Sequence, residues 1–100
     1  MYKLEIEEQA REDLRDAMYW YEIQQEQLGV RLLQEVRKTI QLIVKNPKHY
    51  RKVAKEYRQL KTDIFPYVII YEFINEKVLV YRIFHTSRNP KEKFIKPTSE

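Results

Sequence analysis

The strongest constraint on the fold is a change in the spacing of apolar residues along the chain. Apolar residues alternate over residues 2–6, and then recur at intervals of three, four and seven over 10–28 and at similar helical intervals over 33–44. Alternation is typical of a strand with one buried face, and the longer intervals are typical of amphipathic helices. From Tyr57 onward β-branched and aromatic residues predominate, which favours strands. The spacing therefore predicts the element order β-α-α-β-β-β.

Two signals mark where the helices end. Gly29 is the only glycine in the chain, and we expect it to end a first helix over about residues 8–27 with a left-handed cap. Asn46 and Pro47 end the second helix, because the residue before proline avoids helical angles. Since helices and strands are grouped separately, the fold class is α+β, with an antiparallel helical hairpin on one face of an antiparallel sheet. The polar residues 48–56 are predicted to form a loop.

Length and composition limit the possible functions. The chain has 100 residues, so we expect one domain over residues 1–90 and a polar C-terminal tail over residues 91–100. A single glycine excludes glycine-rich phosphate loops, and the absence of cysteine excludes thiolate metal ligands. We therefore expect no cofactor and no metal. The sequence has no apolar run that could span a membrane and no export signal, so we expect a cytoplasmic protein without a membrane partner.

The last two strands predict which face of the sheet is open. If Asn75 and Glu76 form a two-residue loop, the sheet has one mostly aliphatic face, which suits packing under the helices. The opposite face is rich in aromatic residues, and we expect it to face a partner. Its aromatic members are Tyr67, Tyr71, Phe73 and Phe84. A β-bulge would exchange these assignments.

Several short motifs follow one another in a fixed order. They are Gly29, Asn46-Pro47, Phe65-Pro66-Tyr67, Tyr71 and the segment His85-Thr86-Ser87-Arg88-Asn89-Pro90. Together they resemble the RelE/ParE superfamily of type II toxins over residues 2–90, and are more similar to its ParE-like branch. The resemblance implies a β-α-α-β-β-β toxin that is encoded with a cognate antitoxin, which wraps a segment over it. It also implies that the open aromatic face, with Tyr67, Tyr71, Phe73 and Phe84, is the face that meets the antitoxin.

The resemblance leaves the target open. ParE-like members inhibit DNA gyrase, whereas RelE-like members enter the ribosome and cut mRNA. A third alternative is a relative without toxicity that keeps only the fold and the antitoxin interface.

Cleavage of RNA without a metal requires a base, a cation at the phosphate and an acid. His85 is the candidate acid, because histidine titrates near neutral pH. Arg82 and Arg88 are the candidate cations, while no spacing selects a base between Glu56 and Lys61. Each catalytic candidate has a structural alternative: His85 could cap the last strand, and either arginine could pair with a nearby carboxylate. In the register above, Arg82 and His85 point to opposite faces of the sheet, which counts against a joint catalytic role.

Positive charge is concentrated between the second helix and the sheet. The candidate residues for binding a nucleic acid or another target are Arg51, Lys52, Lys55, Arg58 and Lys61. A net charge of +4 suits a partner that carries phosphates or carboxylates. The alternative is a solvated loop.

Three consecutive aromatic residues in the first helix cannot all reach the core. Tyr21 matches the apolar stripe, so we expect Tyr19 or Trp20 to be exposed. An exposed aromatic side chain there could form part of a homodimer or of an antitoxin contact.

Overall fold

A computed structural model describes residues 2–87. The elements are β1 (Lys3–Ile6), α1 (Glu8–Gln24), α2 (Leu28–Lys45), β2 (Lys52–Ala54), β3 (Tyr57–Lys61), β4 (Tyr67–Ile74) and β5 (Lys77–His85). The α+β class and the helical hairpin on one sheet face are therefore confirmed. The expected tail, Arg88 and the end of the last motif lie outside the described residues.

The sheet is mixed, whereas the sequence predicted an antiparallel one. Its strand order is β1-β5-β4-β3-β2, and β1 runs parallel to β5. The start of β1, the end of α2 and the β4–β5 turn lie together around one surface groove, so α2 returns the chain to the end of the sheet where β1 began. From this end of the sheet the chain runs out along β3, back along β4 and out again along β5. β5 therefore runs in the same direction as β1.

The segment over residues 48–56 is wrongly predicted as a loop. It contains β2, which pairs with β3 in an antiparallel but irregular register. Arg58 holds the preceding residues in place, because its guanidinium donates to the carbonyl oxygens of Tyr50 at 2.7 Å and Lys48 at 3.2 Å. Three residues are too few for an alternating pattern to show, which is why the sequence does not reveal this strand.

The predicted hairpin register holds near the turn and then shifts by one residue. Asn75 and Glu76 have φ angles of 52° and 59°, as a two-residue type I′ turn requires. The pairs from Ile74 with Lys77 to Tyr71 with Val80 match the prediction. A bulge then places two residues of β5 opposite one of β4, so that Ile70 pairs with Arg82.

The predicted assignment of the two sheet faces is wrong. Tyr67 and Tyr71 lie beneath the helices with exposures of 4% and 0%. Phe73 packs against the same core from a partly buried position. Phe84 lies on the opposite face in a small second cluster with Val68 and is 1% exposed.

Two physical effects explain this reversal. The Tyr71 hydroxyl donates to the carbonyl oxygen of Pro47 at 2.7 Å, so a large ring can be buried without leaving its polar atom unpaired. Beyond the bulge, the side chains of β5 lie on the faces opposite to those predicted, so that Ile83 lies beneath the helices and Phe84 on the other face. Aromatic character alone therefore does not identify the open face.

Gly29 does not cap the first helix. The left-handed residue is Gln27, with φ of 74°, and Gly29 lies in the first turn of α2. The Glu22 carboxylate accepts the amides of Gln27 at 2.8 Å and Gly29 at 2.9 Å, which caps α2 from the neighbouring helix. A Cβ at position 29 would lie 2.6 Å from the carbonyl oxygen of Met18. Glycine is needed here for the close approach of the two helices.

We expect Gly29→Ala to destabilise the protein by about 1–3 kcal/mol, because the added methyl forces the hairpin apart. A loss of stability would be informative, because replacing glycine with alanine in a helix normally increases stability. Urea unfolding followed by circular dichroism measures the change. Val30→Ala, at a 43% exposed neighbour, is the matched control and should change stability far less. A wild-type midpoint for Gly29→Ala would contradict the close packing.

The stability of the protein should fall at alkaline pH. Burial raises the pKa of Tyr71 to about 12 in the folded protein. Its pKa in the unfolded chain is about 10, so the protonated form favours folding, and this contribution is present below pH 10 and lost as the pH rises towards 12. Tyr71→Phe should therefore flatten the decline of the free energy of unfolding above pH 10. Tyr19→Phe, at a 71% exposed position, should leave the decline unchanged.

Candidate functional site

Arg82 is engaged by a carboxylate from the helical layer. Its Nε donates to Asp13 Oδ2 at 2.8 Å and its Nη2 donates to Oδ1 at 3.0 Å. The amide of Ile83 donates to Asp13 Oδ2 at 3.0 Å, and the side chain of Gln9 donates to Oδ1 at 3.2 Å. The structural alternative for Arg82, an ion pair with a neighbouring helix, is thus confirmed.

The position of this ion pair follows from the sheet topology. The register of β1 against β5 runs only from Lys77 to Val80, so β1 does not cover the outer edge of β5 beyond that point. Asp13 projects from α1 onto this edge and accepts the amide of Ile83. Asp13 is 8% exposed, and the charge of Arg82 compensates the burial of its carboxylate. The Arg82 guanidinium also lies 4.4 Å from the centre of the Phe84 ring.

His85 lies on the helical side of the sheet, away from Arg82. It pairs with Tyr67 in the register, and the two rings meet edge to face at 5.2 Å. Its Nδ1 accepts the amide of Ser87 at 3.1 Å and lies 2.8 Å from the Ser87 hydroxyl. The proton of the neutral ring is therefore assigned to Nε2. This geometry matches the strand-capping alternative for His85.

His85 also lines a surface groove of about 390 Å³ beside α1. The other walls are Asp16, Ala17, Trp20, Tyr21 and Tyr67. The groove thus combines three aromatic side chains with one carboxylate and one imidazole. Arg82 is not among its lining residues, so the two catalytic candidates that the structure describes do not form one centre.

The five basic candidates divide into exposed and structural residues. Arg51, Lys52 and Lys55 are exposed around the β2–β3 hairpin, where Lys52 pairs with Glu56 at 3.1 Å. Arg58 is held against backbone carbonyls, as described above. The remaining candidate, Lys61, is exposed at the end of β3. Of this set, the hairpin places the first three close together, and their role in target binding stays a prediction.

The reason for expecting an antitoxin at Tyr67, Tyr71, Phe73 and Phe84 was an open sheet face. Tyr67, Tyr71 and Phe84 are buried, and Phe73 contacts the Tyr2 ring at 4.8 Å. Their part in antitoxin binding stays a prediction, and none of the three buried residues offers an exposed side chain.

The face opposite the helices has a polar aromatic cluster that the sequence did not reveal. The Tyr81 hydroxyl donates to Glu72 Oε1 at 2.9 Å, and the Tyr57 and Tyr81 rings lie 5.1 Å apart. Burial raises the pKa of both tyrosines, and the hydrogen bond to Glu72 raises that of Tyr81 further. The predicted register already placed Tyr81 and Glu72 on one face, and pairing of β3 with β4 adds Tyr57 to them.

The outer surface of α1 is more apolar than expected. Tyr19 and Trp20 are both exposed, at 71% and 57%, whereas the sequence led us to expect one of them. Ile23 follows at 62%, and the three form one patch, hereafter the α1 patch. Tyr21 packs edge to face against Phe65 at 5.1 Å, in agreement with the apolar stripe.

Over residues 2–87, histidine and acidic side chains nowhere gather in the groups of three or more that could hold a metal ion. Within the same part of the chain, neither helix is long and apolar enough to cross a membrane.

Structural comparison finds the same fold in chains of solved toxin-antitoxin structures. A chain from the chromosomal ParDE system of P. aeruginosa superposes with a TM-score of 0.77 at 16% identity, covering 87% of this chain and 98% of that one. The isolated E. coli RelE toxin gives 0.65 at 17% identity, with 93% of each chain covered. A chain of the intact E. coli RelBE complex gives 0.65 at 18% identity, covering 88% of this chain and 100% of that one. These likenesses establish the fold.

The family follows from the sequence itself. The model of the ParE toxin of the type II toxin-antitoxin system parDE matches residues 4–90. The chain therefore belongs to the ParE toxin family, in agreement with the resemblance stated above. Comparison with curated protein sequences gives no match.

We expect Asp13→Ala to destabilise the protein by about 3–5 kcal/mol, because it leaves the Arg82 charge and the Ile83 amide without their buried partner. Urea unfolding measures the loss. Glu8→Ala is the matched control on the same helix, since it removes the exposed pair with Arg15 and should cost less than about 1 kcal/mol. If the two substitutions lowered the free energy of unfolding equally, the buried pair would contribute no more to stability than the exposed pair, which would contradict this prediction.

Proposed function

We propose that the chain is a growth-inhibiting toxin of the cytoplasm that is neutralised by a cognate antitoxin and acts by binding a nucleic-acid machine such as DNA gyrase. Membership of the ParE toxin family over residues 4–90 supports the toxin role. The observation that favours binding over RNA cleavage is the buried pair between Arg82 and Asp13. That pair engages Arg82, which is the candidate cation for a phosphate-cleaving centre that lies within the described residues.

The geometry of the other catalytic candidate supports the same choice. Stabilising a phosphorane and protonating the leaving oxygen require a cation and an acid at one phosphate. Arg82 and His85 belong to different faces of the sheet, and the Nδ1 of His85 is engaged by Ser87. Neither Arg82 nor His85 is therefore expected to be essential for catalysis.

A metal-independent mRNA endoribonuclease that works in the ribosome is the second candidate. It is favoured by the likeness to the isolated RelE toxin and by the exposed cations of the β2–β3 hairpin. Arg51, Lys52 and Lys55 could follow a phosphate backbone in either mechanism.

An antitoxin partner is supported by the nature of the structural relatives. The P. aeruginosa chain comes from a ParDE system, and one E. coli chain comes from a complex of toxin with antitoxin. The α1 patch provides exposed aromatic surface for such a contact, and a homodimer could use the same surface.

Inducible expression of the chain alone in bacteria tests the proposal. Pulse labelling of DNA, RNA and protein synthesis should show that DNA synthesis stops first, and His85→Ala should remain toxic. Co-expression of the product of an adjacent short reading frame should restore growth.

Two results would contradict the proposal. Early arrest of protein synthesis, with new cuts in mRNA that His85→Ala abolishes, would establish the endoribonuclease. Unaffected growth in the presence of soluble, folded protein would identify a relative without toxicity.

A further inference from the structure

The groove of about 390 Å³ beside α1, hereafter the His85 groove, contains two polar groups that are available to a ligand. One is the carboxylate of Asp16, an exposed residue of α1, and the other is the Nε2–H of His85. Over residues 2–87, neither group takes part in a hydrogen bond or an ion pair. The groove thus offers a charged acceptor and a donor to a molecule that enters it.

The imidazole donor is held in one orientation. The Nδ1 of His85 accepts the amide of Ser87 at 3.1 Å, so the proton of the neutral ring lies on Nε2. The same ring packs edge to face against the Tyr67 ring, with the ring centres 5.2 Å apart. A donor whose position is fixed before binding costs less conformational entropy when a ligand accepts from it.

The aromatic walls of the groove suit a flat ligand. Trp20 is 57% exposed, and its ring meets the Tyr21 ring edge to face at 5.0 Å. Tyr21 in turn packs against Tyr67, with the ring centres 6.3 Å apart. An exposed indole that is supported by neighbouring rings is a surface on which a nucleobase can stack. Ala17 also lines the groove, and its small side chain leaves space beside the indole.

Guanine is the nucleobase whose hydrogen-bonding groups match this groove. Its N1–H and N2–H₂ lie side by side and can both donate to one carboxylate, while its O6 can accept from an imidazole N–H. Adenine and cytosine have one amino group next to an acceptor on the same edge, so they cannot donate twice to Asp16. An arginine side chain could donate twice and stack on Trp20, but it has no acceptor for His85.

We infer that the His85 groove binds a guanine base, which stacks on Trp20, donates to Asp16 and accepts from His85. A free guanine nucleotide and an unpaired guanine in a nucleic acid strand share this chemistry. The inference goes beyond the proposed function and does not depend on whether the chain is toxic.

Trp20 provides a direct readout of binding, because it is the only tryptophan of the chain. Titration of the purified protein with guanosine monophosphate should shift its indole N–H resonance in the proton–nitrogen NMR spectrum. The shift should saturate with a Kd of about 1 mM or below. Adenosine monophosphate carries the same phosphate and should bind at least about tenfold more weakly, because it lacks the paired donors. Inosine monophosphate, which lacks only the amino group, should bind with intermediate affinity.

Two variants with matched controls test the two polar contacts. Asp16→Asn should lower the affinity for guanosine monophosphate by at least about tenfold and remove the preference over adenosine monophosphate. Asp63→Asn, at an exposed carboxylate outside the groove, should bind like the wild type. His85→Ala should weaken binding by about threefold or more, whereas His49→Ala, at the only other histidine, should not. Circular dichroism confirms that the four variants are folded.

Matched oligonucleotides distinguish the two sources of guanine. A short strand of thymidines with one central guanosine is compared with the same strand carrying adenosine, and both are compared with guanosine monophosphate. If the guanosine strand binds at least about tenfold more tightly than the mononucleotide, the groove accepts an unpaired base of a strand. Equal or weaker binding of that strand assigns the groove to the free nucleotide. Both results support a guanine site, provided that guanine is preferred over adenine.

Three results would overturn the inference. The first is the absence of a saturable shift of the Trp20 resonance up to about 10 mM guanosine monophosphate. The second is equal affinity for the guanine and adenine nucleotides that Asp16→Asn leaves unchanged, which would show unspecific binding of anions. The third is a shift caused by N-acetylarginine amide but not by guanosine monophosphate, which would assign the groove to an arginine of a partner protein. None of these results bears on the toxin role, which the expression experiment tests separately.

Discussion

The arrangement of helices and sheet depends on the hydrogen bonds that the Asp13 carboxylate accepts from β5. The carboxylate accepts hydrogen bonds from Arg82 and from the amide of Ile83, at the part of β5 that β1 does not cover, and so fixes α1 to the sheet. Two further carboxylates act in a related way. Glu22 caps α2 from α1, and Glu35 accepts the amide of Phe65 at 2.8 Å in the loop before β4. Charged groups of the helical layer thus satisfy backbone amides at points where no regular partner is present.

This contact also shapes the function. An arginine held by a buried carboxylate and stacked on Phe84 contributes to structure, and its ability to bind a phosphate is correspondingly reduced. The surfaces proposed for partners belong to different elements: the exposed cations of the β2–β3 hairpin and the α1 patch.

The sequence predicted elements with long periodic patterns and failed at local irregularities. The helical hairpin, the final two strands and the toxin superfamily were all predicted correctly. β2 was missed because three residues carry no period, and Gly29 was misplaced because a close helix approach and a left-handed cap both favour glycine. The sheet faces were exchanged for two reasons. A bulge beside Tyr81 reverses the end of β5, and Tyr71 is buried with its hydroxyl paired to Pro47. For Arg82, the pairing with a helix was anticipated as an alternative, but its partner among the acidic residues of α1 could not be chosen from spacing alone.

The most direct test of the account is the growth inhibition caused by the double variant Asp13→Asn/Arg82→Met. The asparagine amide oxygen can still accept the Ile83 amide, and methionine can fill the arginine volume without charge. If Arg82 is structural, the variant should fold and remain as toxic as the wild type when both are expressed to the same level. The contrary result is a variant that has lost toxicity although circular dichroism and cooperative unfolding show that it is folded. That result would contradict the account and show that Arg82 acts directly on the target.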